Sequence, residues 1–351
     1  MPVDRLTELG WNAVFAEAFA TYADRCVPAR VALEHQHIYR VYTADGDLLA
    51  RIRGRLRHQA GGRDAFPAVG DWVALSPGDG VREAVIEAVL PRRSRFSRKV
   101  AGDLTQEQVL AANIDTVFLV SGLDHDFNLR RIERYLATAL DGGARPVILL
   151  NKADLVPDPA AFVAQAETVA SGAPVYAVSS RTGQGIECLR QFLGVGQTCA
   201  FLGSSGVGKS TLINALLGTP RQRTADVREK DSRGRHTTTH RELLMLPGGG
   251  LLIDTPGMRE LQLWEGRLDD AFADIAALAP GCHFRDCRHE QEPRCAVRQA
   301  VDEGRLAADR LESFRRLQRE LREQERRQDQ LAMIEEKRRT RVIHRAMRRK
   351  R

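Results

Sequence analysis

The segment GSSGVGKST, residues 203–211, is the part of the sequence that most limits the fold. It satisfies G-x-x-x-x-G-K-[ST], the pattern of a loop that holds the phosphates of a nucleotide. The apolar run TCAFL precedes it. The apolar helical segment STLINALLG begins with its last two residues and continues beyond it. A strand, a glycine-rich loop and a helix in this order aim backbone N–H groups and a helix N-terminus at an anion. The sequence therefore predicts a parallel α/β nucleotide-binding domain.

The residue types in this loop predict individual contacts. Gly206 and Gly208 let the backbone approach the phosphates. Lys209 neutralises the terminal phosphates, and the Ser210 hydroxyl is a ligand for Mg²⁺. The residues predicted to contact the nucleotide are Gly203, Ser204, Ser205, Gly206, Val207, Gly208, Lys209, Ser210 and Thr211.

The base is indicated by NKAD, residues 151–154, which follows the apolar run PVILL. The carboxylate of Asp154 can accept hydrogen bonds from the ring N–H and the exocyclic amine of guanine, whereas adenine presents its amine beside an acceptor. The motif therefore predicts selection of guanine. The other residues predicted at this site are Asn151, Lys152 and Ala153, together with Ser179 and Ser180 of AVSSRTG, where a backbone N–H can meet the guanine oxygen.

A D-x-x-G motif begins at Asp254, 45 residues after Lys209 and at the end of an apolar run. The Asp254 carboxylate can reach Mg²⁺ through a water molecule, and the Gly257 N–H can contact the γ-phosphate. Together with the phosphate loop and NKAD, this motif predicts a GTPase.

The order of the motifs is reversed relative to ordinary GTPases, in which the phosphate loop comes first and the base motif last. Here NKAD precedes both GSSGVGKST and DTPG. A fold tolerates such a circular permutation when its original termini lie close together. The segment after DTPG then leads into the C-terminal region, so that movement of this segment on hydrolysis can be transmitted to it.

The position directly after D-x-x-G, which in many GTPases supplies the residue that orients the attacking water, does not supply it in this chain. Many GTPases have a glutamine directly after D-x-x-G, but this chain has Met258, whose thioether orients water poorly. His236, in GRHTTTH, is the candidate catalytic residue because a neutral imidazole can position water; a solvated loop histidine is the alternative. Thr237, Thr238 and Thr239 each offer a hydroxyl to Mg²⁺, and of these we select Thr239.

The region before the GTPase motifs has the pattern of a small β-barrel. Residues 4–25 carry apolar residues at helical spacing and predict one amphipathic helix, whereas residues 29–96 contain short β-like runs separated by turns. Basic residues crowd one stretch, as on barrels that bind oligonucleotides: Arg51, Arg53, Arg55, Arg57 and His58. A solvated strand face explains this stretch equally well.

Three of the six cysteines fall within fourteen residues in the pattern C-x₄-C-x-H-x₅-C. Three thiolates and one imidazole form a closed tetrahedral Zn²⁺ site with no vacant position, and such a site is structural. The thiolates are Cys282, Cys287 and Cys295, and the imidazole is His289 or His283. A cluster of free thiols is the alternative.

Charge is distributed unevenly along the chain. The segment from Arg310 to Arg351, which includes most of a charged helix predicted over residues 300–336, has 16 Lys or Arg and 7 Asp or Glu. The whole positive excess of the chain therefore lies in this tail, which suggests a polyanionic partner. No stretch has the length and apolarity of a membrane span, and the N-terminus lacks the pattern of a signal peptide, so we expect a cytoplasmic protein without membrane association.

With these motifs the sequence resembles the bacterial family of GTPases that depend on the small ribosomal subunit, called RsgA or YjeQ. The resemblance runs through PAVGDWV, NKAD, GSSGVGKSTLIN, RHTTTH, DTPGMRE and CHFRDCRHEQEPRCAV, in this order. It implies a multidomain α/β protein: an N-terminal helix and OB-like RNA-binding β-barrel (1–97), a circularly permuted P-loop GTPase domain (98–275), and a C-terminal zinc-binding helical domain with a basic tail (276–351). It also implies that His289 is the nitrogen ligand of zinc, and it points to His236 as the catalytic residue.

The resemblance further implies a Mg²⁺-dependent GTP hydrolase that acts late in maturation of the small ribosomal subunit, binds its rRNA and is stimulated by the subunit. We expect a monomer with one structural Zn²⁺ that binds GTP and GDP. One alternative is an RNA-binding or chaperone module that uses GTP as a conformational clamp, which Met258 favours and His236 opposes. A second alternative is a permuted GTPase that acts on another RNA target.

Overall fold

A computed structural model of the chain describes residues 4–35, 38–54, 56, 62–76, 83–99, 107–218, 241–254, 268–322 and 326. Several residues singled out in the sequence lie outside these ranges: Arg55, Arg57, His58, His236, Thr239, Gly257 and Met258. The basic segment 337–351 lies outside them as well.

A five-stranded barrel forms the N-terminal part of the fold. The helices α1 (Arg5–Glu8) and α2 (Ala13–Phe19) precede the strands β1 (Val27–His35), β2 (Ile38–Tyr42), β3 (Asp47–Ile52), β4 (Trp72–Ser76) and β5 (Ala84–Val89). The strands pair in the order β1-β2-β3-β5-β4, and β4 pairs with β1 to close the barrel. Apolar side chains such as Val31, Tyr39 and Ile86 fill one buried cluster. The OB-like barrel predicted from the sequence is confirmed.

The single helix predicted over residues 4–25 is wrong, because the chain forms two short helices there. The carbonyl of Leu9 accepts a hydrogen bond from the Arg30 guanidinium, so it is engaged outside the helix. A new helix then begins at Ala13, since the Asn12 side chain accepts hydrogen bonds from the backbone N–H groups of Val14 and Phe15.

Six further strands form the GTPase sheet, which carries the predicted nucleotide-binding motifs and is continuous with the barrel strands. After an antiparallel pair, β6 (Arg95–Lys99) and β7 (Glu107–Ala112), the chain forms β8 (Thr116–Gly122), α3 (Leu129–Asp141), β9 (Arg145–Asn151), α4 (Pro159–Glu167), β10 (Val175–Ala177), β11 (Thr198–Gly203), α5 (Lys209–Leu217), β12 (Glu242–Met245) and β13 (Leu251–Asp254). The strand order is β10-β9-β8-β11-β13-β12. All of these strands are parallel except β12, which is antiparallel to β13.

This order explains how the reversed motifs meet. NKAD follows β9 and the phosphate loop follows β11, and the two strands are separated in the sheet by β8 alone. The ends of β9, β11 and β13 therefore lie at the same edge of the sheet, although β9 precedes β11 in the chain.

A buried arginine joins the barrel to the GTPase sheet. Arg30, on β1, is 2% exposed. Its guanidinium donates to the Gly70 carbonyl at 3.2 Å, the Asn113 carbonyl at 3.1 Å and Thr198 Oγ1 at 2.8 Å, and also to the Leu9 carbonyl. Burial lowers the pKa of Arg30 to about 10, so the group stays cationic at neutral pH. Since Thr198 begins β11, this cation connects the barrel to the strand that ends in the phosphate loop.

The C-terminal part is helical. Its helices are α6 (Leu268–Ala271), α7 (Ala273–Leu278), α8 (Ala296–Asp302) and α9 (308–322). The continuous helix predicted from about residue 300 is wrong at its start, because the N–H groups of Gly304 and Arg305 bond back to the carbonyls of Val301 and Ala300 and end α8. Among the described helices, none combines the length and the apolar character that crossing a bilayer requires.

Candidate functional site

Three loops meet at one edge of the GTPase sheet. They follow β9, β10 and β11, and they contain NKAD, the Ser179–Ser180 pair and the phosphate loop. All three loops were predicted to lie at one site, and Asp254 at the end of β13 lies at the same edge. The structure thus brings the described members of the predicted nucleotide site together.

The amide of Asn151 connects these three loops. Asn151 is fully buried. Its Nδ2 donates to the Val207 carbonyl at 2.7 Å and to Ser180 Oγ at 3.1 Å, while its Oδ1 accepts from the Ser180 N–H at 2.9 Å. Because a buried amide is costly to leave unpaired, these bonds hold the phosphate loop in register with the two other loops.

Asp154 is exposed at the edge of this assembly. Its Oδ1 accepts a hydrogen bond from Ser179 Oγ at 2.6 Å. Ser179 is fully buried, and its hydroxyl oxygen also accepts from the Thr182 N–H at 3.1 Å. A buried hydroxyl therefore orients a carboxylate that faces solvent, which is the arrangement needed to recognise a group with two adjacent donors.

Lys152 contacts a residue that the sequence reasoning missed. It has a left-handed backbone, with φ of 65°, and its ammonium pairs with the carboxylate of Asp124. Burial opposes ionisation of Asp124, but the hydrogen bond from Lys152, backbone hydrogen bonds including that of Asp126, and the charge of Lys152 together lower the pKa of Asp124 overall. Asp124 follows the apolar strand β8, and this position is its signal in the sequence, because Asn151 and Asp254 also lie at the ends of apolar strands.

The phosphate loop is held by its own lysine and by a neighbouring helix. Lys209 Nζ donates to the carbonyls of Gly203 at 2.7 Å and Ser204 at 2.5 Å. Arg131, in the first turn of α3, donates from Nη1 to Ser204 Oγ at 2.7 Å. Ser210 and Thr211 lie in the first turn of α5, which starts directly after Gly208. Arg131 is a second residue that sequence reasoning missed, and nothing in its spacing marks it.

The four predicted metal ligands lie together in the C-terminal part. Sγ of Cys282 lies 3.8 Å from Sγ of Cys295, and Nδ1 of His289 lies 3.6 Å and 3.3 Å from these two sulfurs. With Cys287 included, all ligand atoms lie within 4.8 Å of one another. Ligand atoms of a tetrahedral site with metal–sulfur bonds of about 2.3 Å and metal–nitrogen bonds of about 2.0 Å are separated by about 3.5–3.8 Å. The cluster therefore has the dimensions to hold one metal ion.

His289 is in this cluster and His283 is outside it. The ring of His283 instead makes an edge contact with Phe284, with centroids 4.8 Å apart. Burial lowers the pKa of His289, which favours the neutral imidazole that binds metals.

Part of the basic stretch on the barrel is neutralised. Arg51 pairs with Glu83 and Arg53 pairs with Glu87. Glu83 lies directly before β5, and Glu87 lies within it. The other basic residues of this stretch lie outside the described residues. Arg51 and Arg53 are therefore paired with carboxylates within the barrel, as on a solvated strand face.

Known proteins resemble the chain over most of its length. The family model described as RsgA GTPase matches residues 89–264, and a model described as 50S ribosome-binding GTPase matches the smaller range 198–336. "Small ribosomal subunit biogenesis GTPase RsgA" of Opitutus terrae is 53% identical over 90% of this chain and 89% of its own length. The protein of the same name from Syntrophotalea carbinolica is 42% identical over 97% of this chain and 96% of its own.

Solved structures agree with the permuted fold. The crystal structure of YjeQ from Thermotoga maritima is 30% identical, has a TM-score of 0.64, and is matched over 84% of this chain and 98% of its own. The structure of YloQ, described as a circularly permuted GTPase, has a TM-score of 0.59 at 24% identity and supports the fold alone. Together with the strand order, these similarities confirm the circular permutation predicted from the motif order.

Two glycines of the phosphate loop allow a test of the Asn151 connection. Both have positive φ, 78° at Gly206 and 97° at Gly208, which costs an alanine about 1–2 kcal/mol at either position. A Cβ on Gly208 would also lie 2.2 Å from Asn151 Nδ2, whereas one on Gly206 meets no atom within 4 Å. We expect Gly208→Ala to lower the free energy of unfolding by about 1–3 kcal/mol more than Gly206→Ala in urea titrations, because a buried hydrogen bond is displaced. Equal losses in the two variants would contradict the connection.

Proposed function

The chain belongs to the RsgA GTPase family, and we propose that it hydrolyses GTP to GDP and phosphate as a late assembly factor of the small ribosomal subunit. The observation that carries this proposal is the buried Asn151 amide, which joins the base motif, the Ser180 loop and the phosphate loop into one site. The names of the relatives, which state biogenesis of the small ribosomal subunit, supply the process.

Guanine is recognised, in this proposal, by the exposed carboxylate of Asp154. The Ser179 hydroxyl fixes one carboxylate oxygen, so the group is oriented before the base arrives. The Ser179–Ser180 loop lies beside the base motif, because the Ser180 N–H donates to Asn151 Oδ1, and this loop is proposed to contact the guanine base. This division of roles supports GTP over ATP as the substrate.

The phosphates and Mg²⁺ are held by the phosphate loop. Lys209 reaches the carbonyls at the start of the loop, so its ammonium lies where terminal phosphates of a nucleotide would be neutralised. The Ser210 hydroxyl at the start of α5 and the Asp254 carboxylate at the end of β13 supply oxygen ligands of the type that Mg²⁺ prefers. Thr239 is proposed as a further ligand and Gly257 as a γ-phosphate contact.

His236 is proposed as the residue that positions the attacking water. Met258 stands where many GTPases have a glutamine, and the imidazole of His236 offers the nearest polar alternative in the sequence. The proposal is that the docked small subunit acts on the segment that contains His236, which would explain stimulation of turnover by the subunit.

The Cys282, Cys287, His289 and Cys295 cluster is proposed to hold one structural Zn²⁺. A set of three thiolates and one imidazole suits Zn²⁺, and it leaves no ligand position open for catalysis. The His289 ring lies 6.1 Å from the ring of Phe314 on α9, so a metal here would also stabilise the packing of the C-terminal helices.

Contacts with rRNA are proposed for the barrel and for the basic tail. The tail carries the positive excess of the chain, whereas Arg51 and Arg53 are paired with carboxylates. The tail should therefore contribute most of the salt-dependent attraction to RNA. We propose that the protein acts as a monomer in the cytoplasm.

Guanine selectivity should depend on Asp154. In Asp154→Asn the charged acceptor is lost, so GTP affinity should fall about 10- to 150-fold, equivalent to about 1.5–3 kcal/mol. Affinity for xanthosine triphosphate should rise, because its base has a carbonyl where guanine has an amine and the asparagine amide can donate to it. Nucleotide titrations measure both affinities. Glu167→Gln, which removes another exposed carboxylate, is the control. Unchanged GTP affinity would exclude this role for Asp154.

Turnover in the presence of purified small ribosomal subunits tests the function as a whole. We expect the subunits to raise GTP turnover by about tenfold or more. Lys209→Ala should abolish turnover, and His236→Ala should lower stimulated turnover on the order of 10²-fold while GTP affinity is retained. Equal turnover with and without subunits would instead favour the use of GTP as a conformational clamp.

Metal analysis tests the zinc site. Protein purified without chelators should contain one Zn²⁺ per chain, and Cys287→Ser should lose it and become more sensitive to proteolysis within residues 276–300. Cys188→Ser changes a half-buried thiol outside the cluster and should keep the metal. Absence of stoichiometric Zn²⁺ from the wild-type protein would refute the site.

A further inference from the structure

Helix α3 contacts the phosphate loop near its first turn. Arg131 Nη1 donates to Ser204 Oγ at 2.7 Å, and the Tyr135 hydroxyl lies 3.4 Å from the same oxygen. Arg131 also pairs with Asp126 in the loop that precedes the helix. The Ser204 side chain is therefore held by α3, which is remote from it in sequence.

The same helix is also bound by the C-terminal part. Arg134 makes a two-pronged ion pair with Glu320 of α9, with nitrogen–oxygen distances of 2.7 and 2.8 Å. Glu133, which is fully buried, accepts from Arg310 at 2.8 Å. Arg310 in turn donates to Asp274 of α7. Two ion pairs thus connect α3 to helices that lie after the GTPase motifs.

These contacts are close together on α3. Arg131, which contacts the phosphate loop, lies within one turn of Glu133 and Arg134, which contact the C-terminal helices; one turn is about 5.4 Å long. The turn is anchored to the sheet by the buried side chains of Ile132 and Leu136. A helix is stiff over one turn, so a displacement of α9 that moves Arg134 also moves Arg131.

We propose that α3 transmits the position of the C-terminal helices to the phosphate loop, with Arg131 as the positioning residue that contacts Ser204. A partner that displaces or fixes α9 changes the position of Arg131, and through Ser204 it changes the geometry of the loop that holds the transferred phosphate. This inference rests on the proposed function for the partner, which is the small ribosomal subunit, and it assigns the route by which docking alters turnover.

The partly exposed pair of Arg134 and Glu320 gives the cleanest test, because removing one partner from the buried Arg310 network would destabilise the fold. An exposed ion pair contributes up to about a fivefold change in an equilibrium constant. Glu320→Arg should therefore lower the stimulation of GTP turnover by subunits about two- to fivefold, with basal turnover unchanged and the thermal unfolding midpoint lowered by no more than about 2–4 °C. The exchange Arg134→Glu with Glu320→Arg should restore stimulation to within about twofold of the wild type.

The matched control is Glu312→Arg, which makes the same charge change at an exposed position of the same helix. It should leave the stimulation unchanged, so a general effect of charge on RNA binding is separated from the effect of the ion pair. Full stimulation in Glu320→Arg would overturn the proposal, and so would a loss that the charge exchange does not restore. Absence of stimulation in the wild type would instead refute the proposed function.

Arg131 is tested by a double-mutant cycle with Ser204. Arg131→Gln and Ser204→Ala should each lower the stimulated kcat by a similar factor, with the KM for GTP changed less than about twofold, and the double variant should show no additional loss. Arg131→Lys, which keeps one charged donor, should recover part of kcat. Additive losses, or losses confined to KM, would show that Arg131 does not act through Ser204.

Discussion

The fold depends on a buried cation at the junction of its parts. Arg30 belongs to the barrel, but its guanidinium donates to Leu9 before α2, to Asn113 before β8 and to Thr198 at the start of β11. A planar guanidinium has donors in fixed directions, so these bonds set orientation as well as distance. A side chain without donors would leave buried oxygens unpaired, at about 1–3 kcal/mol each. The barrel is therefore fixed to the strand that leads into the phosphate loop, and the pairing of Leu33 on β1 with Glu242 on β12 adds a second connection.

Two further connections lie at the opposite end of that strand. Asn151 holds the phosphate loop against the base motif, and Arg131 holds it against α3. Asp124 and Asp126 belong to the loop between β8 and α3. Asp124 pairs with Lys152, next to Asn151, and Asp126 pairs with Arg131. The phosphate loop is thus bounded by residues from β9 and α3, which precede it in the chain. In a permuted chain this arrangement leaves the segment after β13 to continue into the C-terminal helices, which return to α3 through Arg310 and Glu320.

Local patterns predicted much of the structure because their physical causes are local. The strand, loop and helix at residues 198–217 follow from apolar runs on either side of glycines, and the metal cluster follows from the spacing of Cys282, Cys287, His289 and Cys295. Two differences between expectation and structure have distant causes. The helix predicted over residues 4–25 is divided where Leu9 bonds to Arg30, and the basic stretch on β3 is partly neutralised by Glu83 and Glu87, which lie more than thirty residues later. Helical periodicity and local charge depend on residues that are close in the sequence, so they do not predict such distant partners.

The sequence by itself determined that the chain has a guanine-type base motif, a phosphate loop and a three-cysteine, one-histidine cluster, and the motif order determined the permutation. These features depend on residue identity and short spacing, and both can be read directly from the sequence. The tertiary structure alone decided that Asn151 joins three loops, that Asp124 pairs with Lys152, and that Arg131 and Arg134 connect the phosphate loop with α9. Each of these contacts joins residues brought together by strand order and helix packing, and a hydrogen bond forms where the atoms meet, whatever their separation along the chain.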